Sequence, residues 1–421
     1  MSKLLRIVKR NKIAKEWYRK LAAKTAFSSD GIIRALPKYD NNNPFRANLI
    51  LLGINEDEVF GGVSTAIKVL NSISKKLSCE SRIIISGNQT FSTSTYVPEG
   101  FTSSDGSLFF LEENQNLPVG RNDFFIFTYW STWFSLEVVL NYIENNFTSN
   151  RYRNVYLIQD FEPGFFSWST EYLLAESTYR NRAEDTIALI NSNELSEFIS
   201  NRNYHFFSSH AFTPMLNSSL KDELFKHMDH QIKREKFILI YGRPSASRNA
   251  FELLVSALRH WSDSYASANE WQIISLGEKH DSIQLANNVI VSYGKVSLEE
   301  YASLMLRSYA GISLMASPHP SYPPLEMSTF GVKVITNKFE NKDLSGFSQN
   351  LYSVGVCTPE VISSALSKIC DTYSDENSFD NVQICCPVDY LSLDNFEHVI
   401  NDVCVEISDE HLHCDIKCDG E

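Results

Sequence analysis

Short apolar runs alternate with stretches of helical character along most of the chain, and this alternation constrains the fold more than any other feature. The apolar runs fall into two series, at residues 47–54, 82–86, 123–128, 155–159 and 188–191, and then at residues 237–241, 271–276, 289–292, 311–315 and 332–336. Such runs, separated by amphipathic stretches, are typical of buried strands joined by crossover helices. The sequence therefore predicts an α/β protein with parallel sheets that carry helices on both faces.

Helix-start signals follow several of these runs. Ser64 is placed to cap a helix that extends to about Leu77, and Ser297 with Glu300 forms a capping box. Pro324 marks the start of a short helix with Glu326 in its first turn, and Thr358 with Pro359 begins another. These signals support the same strand–helix alternation in both halves of the chain.

A chain of 421 residues exceeds one ordinary domain core, so two main domains are expected. We predict a basic N-terminal helix and linker at 1–45, a Rossmann-like domain at 46–225 and a second at 226–385. Residues 386–421 are predicted as a C-terminal helix and polar tail. Whether the helix near residues 393–405 crosses back to the first domain stays open.

Charge is distributed unevenly. The net charge of −13 argues against a general nucleic-acid binder, yet residues 1–25 contain nine Lys or Arg and one Glu. Apolar residues among these cations indicate an amphipathic helix that suits an anionic membrane surface, although a solvated helix docked on the protein is the alternative. No apolar run approaches a transmembrane span and no secretory signal is recognisable, so we expect a cytoplasmic protein with reduced cysteines.

Cationic and acidic residues follow the predicted strands of the second series. Arg243 and Arg248 follow the first strand, and Lys295 follows a later one. Side chains at the carboxyl ends of parallel strands meet at one sheet edge, where ligands of open α/β sheets bind. In the segment 317–336, a Pro-rich loop leads into a helix start, which is a site for phosphate, and Glu326 can accept hydrogen bonds from ribose hydroxyls. The pattern predicts a nucleoside diphosphate site.

The order of these motifs resembles the C-terminal domain of GT-B glycosyltransferases of family 4. The resemblance rests on Gly242-Arg243, Gly294, Val296 and Glu300, followed by Leu325-Glu326-Met327, Gly331 and Val334-Ile335, with a glycine-rich loop at Gly61-Gly62-Val63. The longer strings at 159–178, 241–253 and 317–327 resemble a narrower group, the bacterial rhamnosyltransferases of the WsaF type. This resemblance implies two Rossmann-like domains that face a central cleft.

The resemblance also implies roles for individual residues. Arg243 and Lys295 would neutralise the diphosphate with Arg248, Glu326 would hold the ribose, and Gly61, Gly62 and Val63 would approach the phosphate. Pro318 stands where the family has a sugar-binding Glu, so we expect His319, Ser321 or Tyr322 to contact the sugar. Gln159 replaces an active-site His and cannot act as a base, but it is predicted to contact the acceptor. Asp160 and Glu162 are candidates for acceptor contact or base. Phe165 and Trp168 are predicted to contact the acceptor.

The activity implied is transfer of L-rhamnose from dTDP-β-L-rhamnose to an oligosaccharide or lipid-linked acceptor, with retention. Because the chain contains no Asp-x-Asp pair, metal-independent chemistry is expected. His411, His413, Cys414 and Cys418 have zinc-ligand side chains, but they are predicted to belong to a polar tail. The alternatives are transfer from a UDP- or GDP-sugar, and a non-catalytic two-lobed protein that binds a nucleotide or glycan within an assembly.

The basic N-terminal segment generates a direct test. Deleting residues 1–25 should leave transfer to a soluble acceptor intact but reduce recovery of the protein with membranes, because the segment supplies the cationic, amphipathic surface. The measurement is the fraction that co-sediments with anionic vesicles. Unchanged recovery would rule out the membrane role.

Overall fold

The computed structural model describes residues 32–54, 61–87, 98–113, 115–147, 152–228, 230–374, 378–381, 383 and 385–414. The prediction for the basic segment 1–25 lies outside these residues. Of the Cys/His-containing tail, only the helical backbone as far as Cys414 is described.

The described chain divides into two compact units. One comprises the residues up to Leu157 together with those from Cys404, and the other comprises Ile158–Val403. This division lies at residues 157 and 158, whereas the sequence predicts a domain boundary at residues 225 and 226. Grouping by contacts does not define where a folding domain ends, so the domain boundaries stay a prediction.

The first unit is built around parallel strands in the order β4-β3-β2-β6-β7, and a separate parallel pair joins β1 to β5. Its strands are β1 (Leu36–Tyr39), β2 (Arg46–Leu51), β3 (Glu80–Ile85), β4 (Leu108–Phe110), β5 (Asn116–Val119), β6 (Asp123–Phe127) and β7 (Asn154–Ile158). Its helices are α1 (Gly62–Leu77), α2 (Trp130–Ser135) and α3 (Glu137–Asn146).

The second unit contains the parallel pair β8–β9, the antiparallel pair β10–β18 and a seven-stranded sheet. Its strands are β8 (Thr186–Asn191), β9 (Ser208–Phe212), β10 (Gln231–Lys233), β11 (Glu235–Gly242), β12 (Gln272–Gly277), β13 (Ile283–Gln284), β14 (Val289–Gly294), β15 (Ser308–Ile312), β16 (Lys333–Asn337), β17 (Leu351–Val354) and β18 (Phe379–Asn381). The sheet has the order β13-β14-β12-β11-β15-β16-β17 and is parallel except for the short edge strand β13.

Helices cover both faces of that sheet. The helices that begin in this unit are α4 (Thr170–Ser177), α5 (Asn193–Asn201), α6 (Ser218–Lys226), α7 (Phe251–Ser264), α8 (Leu298–Arg307), α9 (Tyr322–Thr329), α10 (Pro359–Asp371), α11 (Val388–Leu391) and α12 (Asp394–Cys414). Along β11, Ile238 and Ile240 pack in a cluster with α7 and α10, whereas Phe237 and Leu239 pack in a cluster with α8 and α9. The two-residue period of a strand therefore supplies one core to each face, as the apolar run predicted.

The predicted strand–helix alternation is confirmed, with shifts of a few residues at the ends. The caps at Ser297 and Thr358 are present, since each side chain accepts a hydrogen bond from the backbone N–H three residues later. One predicted strand, at residues 311–315, is instead Ser308–Ile312.

Three local predictions are wrong. Helix α1 begins at Gly62, not at Ser64, because Gly61 adopts φ +93°, which turns the chain into the helix earlier than a side-chain cap would. Residues 36–39 form a strand in the predicted linker. Pro37 lies in β1 and Pro118 in its partner β5, and proline is tolerated at the edges of so short a two-stranded sheet. Helix α9 begins at Tyr322, so Pro324 lies inside its first turn and Glu326 in the second.

Helix α12 begins in the second unit, and its residues from Cys404 group with the first. Among the described residues, no helix combines the length and the apolar character needed to cross a bilayer.

Arg234 is a buried cation that immediately precedes β11, at the amino end of the seven-stranded sheet. Its guanidinium donates to the backbone oxygens of Met305 (2.8 Å), Ser308 (3.2 Å) and Phe330 (2.6 Å), at the C-terminal ends of α8 and α9. A Cβ atom on Gly331 would lie 2.2 Å from Arg234 Nη2, and Gly331 has φ +87°. Cations are favourable at helix C-termini, so Arg234 joins the ends of both helices.

We expect Gly331→Ala to destabilise the protein by about 2–4 kcal/mol, because alanine is strained at this φ and its methyl group would displace the Arg234 guanidinium. The measurement is the shift of the urea unfolding midpoint. Gly346→Ala is the matched control, since a Cβ at Gly346 would meet no described atom within 4 Å. Equal shifts for the two variants would contradict the assignment.

Candidate active site

The seven-stranded sheet reverses its strand order beside β11. The chain runs from β11 outward to β12 and β14, and then returns to place β15 on the other side of β11. The loops that follow β11 and β15 therefore diverge and leave a crevice between them, which is where ligands bind in such sheets. A hydrogen bond from Ala316 N–H to Arg248 O (2.7 Å) connects the two loops.

Asp160, which follows β7, is attached to both loops. Its side chain is largely buried, and one carboxylate oxygen accepts hydrogen bonds from the Phe161 backbone N–H (2.8 Å) and from the Ser317 hydroxyl. The other oxygen lies 3.6 Å from Arg248 Nε. Asp160 thereby holds the predicted donor-site residue Arg248 and the loop after β15 in place.

A cavity of about 200 Å³ opens beside this carboxylate. Seven of its lining side chains are aromatic, and they are accompanied by two arginines and one carboxylate; the lining comprises Asp160, Phe161, Gly164, Phe165, Phe166, Trp168, Tyr172, Phe198, Arg202, Arg248, Ala316, Ser317, Pro318 and Phe339. The Arg248 guanidinium lies 4.1 Å from the centre of the Phe165 ring. Trp168 is 95% exposed, an unusual state for so large an aromatic side chain.

The predicted acceptor residues divide into two groups. Phe165 and Trp168 line the cavity together with Asp160 and Arg248. Gln159 and Glu162 are not among its lining residues: Gln159 is half-buried at the end of β7, and Glu162 is buried in the turn that follows Asp160. A contact of these two residues with an acceptor stays a prediction.

The loop after β15 holds His319 in a buried position. Its Nδ1 accepts a hydrogen bond from the Ser321 backbone N–H (3.0 Å), and its own backbone N–H donates to Ser317 Oγ (3.1 Å). Burial lowers the pKa of His319 to about 4, which keeps the ring neutral at physiological pH. The ring centre lies 5.7 Å from that of Tyr322, so two of the predicted sugar-contact residues adjoin.

Glu326 lies in the second turn of α9 and faces a tyrosine. Tyr301 of α8 donates to Glu326 Oε2 (3.1 Å). Burial raises the pKa of Glu326 to about 7, although the Tyr301 hydrogen bond acts in the opposite direction. Helix α9 begins at Tyr322, and two consecutive prolines fit its first turn. Glu326 therefore lacks the favourable effect of the helix dipole on a first-turn carboxylate.

The cations predicted for the diphosphate follow neighbouring strands. Half-buried Arg243 follows β11, and exposed Lys295 follows β14, with the carboxyl end of β12 between them. Burial raises the pKa of Tyr241, at the end of β11. The positive charge of Arg243 lowers this pKa, and the negative charge of Glu326 raises it. Arg243 and Glu326 therefore lie near the same end of β11.

The predicted glycine-rich loop belongs to the first unit. Gly61 precedes α1, and Gly62 and Val63 form its first turn. A Cβ at Gly61 would have no described atom within 4 Å. Contact of these residues with a phosphate stays a prediction.

Sequence reasoning missed two polar residues that donate hydrogen bonds to residues 315 and 322, at either end of the segment that contains His319. Lys342 is buried, its Nζ donates to Met315 O (2.8 Å), and burial lowers its pKa to about 8 while Asp160 acts to raise it. Asn191, at the end of β8, donates through Nδ2 to the Tyr322 hydroxyl (2.9 Å). Lys342 lies in a polar stretch that matches no motif, so no sequence signal indicated it. Asn191 ends an apolar run, and its position at the end of a strand was a signal that it could belong to a site.

A metal site is not evident in the part of the chain that the structure describes. No group of three or more His, Cys, Asp or Glu side chains there is arranged to hold a metal ion. The independence from metal expected from the sequence stays a prediction.

Comparison with known proteins identifies the family. The family model for the N-terminal domain of WsaF matches residues 46–193, and the model for its C-terminal domain matches residues 236–367. The O-antigen biosynthesis protein RfbC of Myxococcus xanthus is 28% identical over 183 residues, which is 43% of this chain. The chain spans only 14% of the length of that curated relative.

Solved structures share the fold at low sequence identity. Sucrose-phosphate synthase from Thermosynechococcus elongatus is 11% identical with a TM-score of 0.52, and the match covers 88% of this chain and 98% of that one. For α,α-trehalose 6-phosphate synthase from Burkholderia multivorans, the identity is 6% and the TM-score 0.52, with 93% and 99% covered. With the family models matching well over half of its residues, the chain belongs to the WsaF family and has the GT-B glycosyltransferase fold.

Proposed function

We propose that this protein is a glycosyltransferase that moves L-rhamnose from dTDP-β-L-rhamnose to a saccharide acceptor in surface polysaccharide assembly, with retention. The observation that supports the proposal is that Arg243, Arg248 and Glu326 all act on the pKa of Tyr241, at the end of β11, in a chain of the WsaF family. The relative RfbC is an O-antigen biosynthesis protein, which supports the class of product.

The donor site follows from the chemistry of a nucleoside diphosphate. Arg243, Arg248 and Lys295 would offset the diphosphate charge, because guanidinium groups bind phosphate oxygens bidentately and the ammonium adds a point charge. Ribose hydroxyls would donate to the Glu326 carboxylate, whose other contact is Tyr301. Gly61 and Gly62 would let the start of α1 approach the phosphate closely, as the resemblance implies.

Transfer requires one bond to form and one to break at the sugar. The acceptor hydroxyl oxygen attacks C1, the bond from C1 to the diphosphate oxygen breaks, and that leaving oxygen takes the hydroxyl proton on the same face of the sugar. The arginines and Lys295 would stabilise the charge that develops on the departing dTDP. The remaining contribution of the protein is orientation of the two substrates.

The state of the nearby titratable groups supports a reaction without a histidine base. The Nδ1 atom of His319 accepts from Ser321, and burial keeps its pKa near 4, so the ring does not take up a proton at neutral pH. Asp160 is engaged by Ser317, Phe161 N–H and Arg248, which suits it to holding the cation rather than exchanging protons. The leaving diphosphate is then the group that accepts the proton.

The aromatic cavity beside Asp160 is our candidate for the acceptor. Sugar rings stack on aromatic faces through their C–H surfaces, and Phe165 and Trp168 present such faces at the same cavity as Arg248. We place the reaction in the cytoplasm, with residues 1–25 bringing the protein to the membrane face where a lipid-linked acceptor would lie.

The donor claim is tested by nucleotide binding. Calorimetry and thermal stabilisation with dTDP, UDP and GDP, first without metal and then with Mg²⁺, should show preference for dTDP without metal. Arg243→Ala should weaken dTDP binding about tenfold or more, because it removes a charge-assisted contact to phosphate. Arg259→Ala, an exposed arginine on α7, is the matched control and should bind like the wild type.

A turnover assay complements the nucleotide-binding test. Wild-type protein incubated with dTDP-rhamnose and an oligosaccharide acceptor should release dTDP, whereas Arg243→Ala should lose most of this rate. Preference for UDP or GDP would keep the fold and overturn the donor. Binding of none of the three nucleotides would favour a non-catalytic role within an assembly.

The ionisation of Glu326 predicts how binding depends on pH. A protonated carboxyl is a poorer acceptor for ribose hydroxyls, and the pKa of Glu326 is raised to about 7, so dTDP affinity should fall as the pH drops below 7. One unit lower, about a tenth of the carboxyl groups are ionised, which allows up to about a tenfold loss. The measurement is calorimetry from pH 5.5 to 8.5.

Two variants isolate this contribution. Glu326→Gln should remove it and leave only the pH dependence of the nucleotide itself. Glu300→Gln changes an exposed carboxylate on α8 and should retain the wild-type profile. Identical profiles for the wild type and Glu326→Gln would show that Glu326 does not hold the ribose.

A further inference from the structure

Arg202 lines the aromatic cavity beside Asp160, and no sequence motif indicated it. It immediately follows α5, and its guanidinium lies 4.5 Å from the centre of the Phe198 ring and 5.6 Å from that of the Phe161 ring. Its Nη2 atom is 3.4 Å from Glu340 Oε1, and the two side chains are 43% and 50% exposed. An ion pair this exposed contributes little, so it leaves Arg202 available to a ligand.

A guanidinium that lies over an aromatic ring keeps its edge available. Its N–H groups lie in its own plane and point away from the ring face beneath it. Arg248 lies over Phe165 in the same way, 4.1 Å from the ring centre, and its Nε is 3.6 Å from Asp160, beyond ordinary hydrogen-bond distance. Both arginines of the cavity therefore retain N–H donors that the described residues do not saturate.

The lining of the cavity carries a net positive charge. Its charged side chains are Arg202, Arg248 and Asp160, and the Asp160 carboxylate already accepts from the Ser317 hydroxyl and the Phe161 N–H. Arg248 serves the diphosphate in the proposed function, which leaves Arg202 as the cation without a role. A neutral sugar would need only ring faces and hydroxyl partners, whereas a guanidinium matches the paired oxygens of a carboxylate or a phosphate.

We propose that this cavity binds an acidic acceptor sugar, and that Arg202 donates to its anionic group, a carboxylate or a phosphate. The sugar ring would lie against the aromatic lining, where Phe165 and Trp168 present their faces. Without an acceptor, Glu340 takes the place of that anionic group. The inference rests on the proposed function, since it names the chemical class of the acceptor.

The test compares three sugars of one configuration, in the absence of a donor. Methyl α-D-glucoside is neutral, methyl α-D-glucuronide carries a carboxylate on the ring, and α-D-glucose 1-phosphate carries a phosphate where a sugar would be joined to a lipid. Trp168 lines the cavity and is 95% exposed, so its fluorescence should change when a sugar stacks there. The wild type should bind one anionic probe about tenfold more tightly than the glucoside, the scale of a charge-assisted hydrogen bond.

The preferred probe identifies the source of the anionic group. Preference for the glucuronide would assign a carboxylate of the sugar itself, and preference for the 1-phosphate would assign the phosphate at the point of attachment. Raising the salt concentration from about 50 mM to about 500 mM should weaken binding of the anionic probe and leave glucoside binding unchanged, because charge–charge attraction is screened. This measurement requires no variant.

Variants of Arg202 isolate its charge. Arg202→Gln retains an N–H donor without the charge, so it should lose the preference for the anionic probe while binding the glucoside within about twofold of the wild type. Arg202→Lys retains the charge without the planar fork and should keep part of the preference. Unchanged glucoside binding shows that the variant cavity is folded.

Arg180→Gln is the matched control. Arg180 also lies over an aromatic ring, 4.7 Å from the centre of Tyr204, and it pairs with Glu176, but it is not among the lining residues of the cavity. This variant should retain the wild-type preference. Trp168→Phe should abolish the fluorescence change, and a change that persists in it would place the probes elsewhere and overturn the inference.

Sugar binding and nucleotide binding answer different questions. Equal affinity of the wild type for the three sugars, no binding of any of them, or an undiminished preference in Arg202→Gln would overturn the acidic acceptor. If dTDP still binds in that case, the proposed function stands. Preference for an anionic sugar in a protein that binds no nucleotide would instead overturn the proposed transfer and retain a site for acidic saccharides.

Discussion

The guanidinium of Arg234 is the contact on which the relative placement of α8 and α9 depends. At the amino end of the seven-stranded sheet, it bonds to C-terminal carbonyls of both α8 and α9. These two helices carry Tyr301 and Glu326. A buried cation without partners would be strongly unfavourable, so its three carbonyl bonds restrict how α8 and α9 can shift relative to each other. Gly331 is required for the same reason, because any side chain there would occupy the space of Arg234 Nη2.

Asp160 lies beside the loops that follow β11 and β15, where charged side chains and buried side chains surround it. Its carboxylate is neutralised by Arg248 and approached by buried Lys342, and it accepts from Ser317 in the loop that positions His319. Burial lowers the pKa of both nearby basic groups from different ordinary values: that of His319 falls to about 4, so the ring is neutral, whereas that of Lys342 falls to about 8, so the ammonium is mostly charged at neutral pH. The crevice therefore combines fixed cations with a neutral hydrogen-bond donor, a suitable environment for a sugar attached to a diphosphate.

The positions of site residues along strands were predictable because a parallel sheet has one carboxyl edge. Arg243, Lys295 and Asp160 each follow an apolar run, and each lies at a strand end in the structure. The helix starts at Gly62 and Tyr322 were less predictable: glycine at positive φ and consecutive prolines begin a helix without the side-chain cap that sequence signals emphasise. The strand at Leu36–Tyr39 was missed for a related reason, since its proline is tolerated in a short two-stranded sheet.

The sequence by itself determined the α/β class, the parallel strands and the residues that follow them, because hydrophobic period and strand polarity are local properties of the chain. Only the tertiary structure decided which polar groups meet. Asn191 and Tyr322 are separated by 131 residues and Asp160 and Ser317 by 157, so no local pattern relates them. Likewise, the neutral state of His319 and the raised pKa of Glu326 arise from burial, which depends on what packs around a side chain and not on its neighbours in sequence.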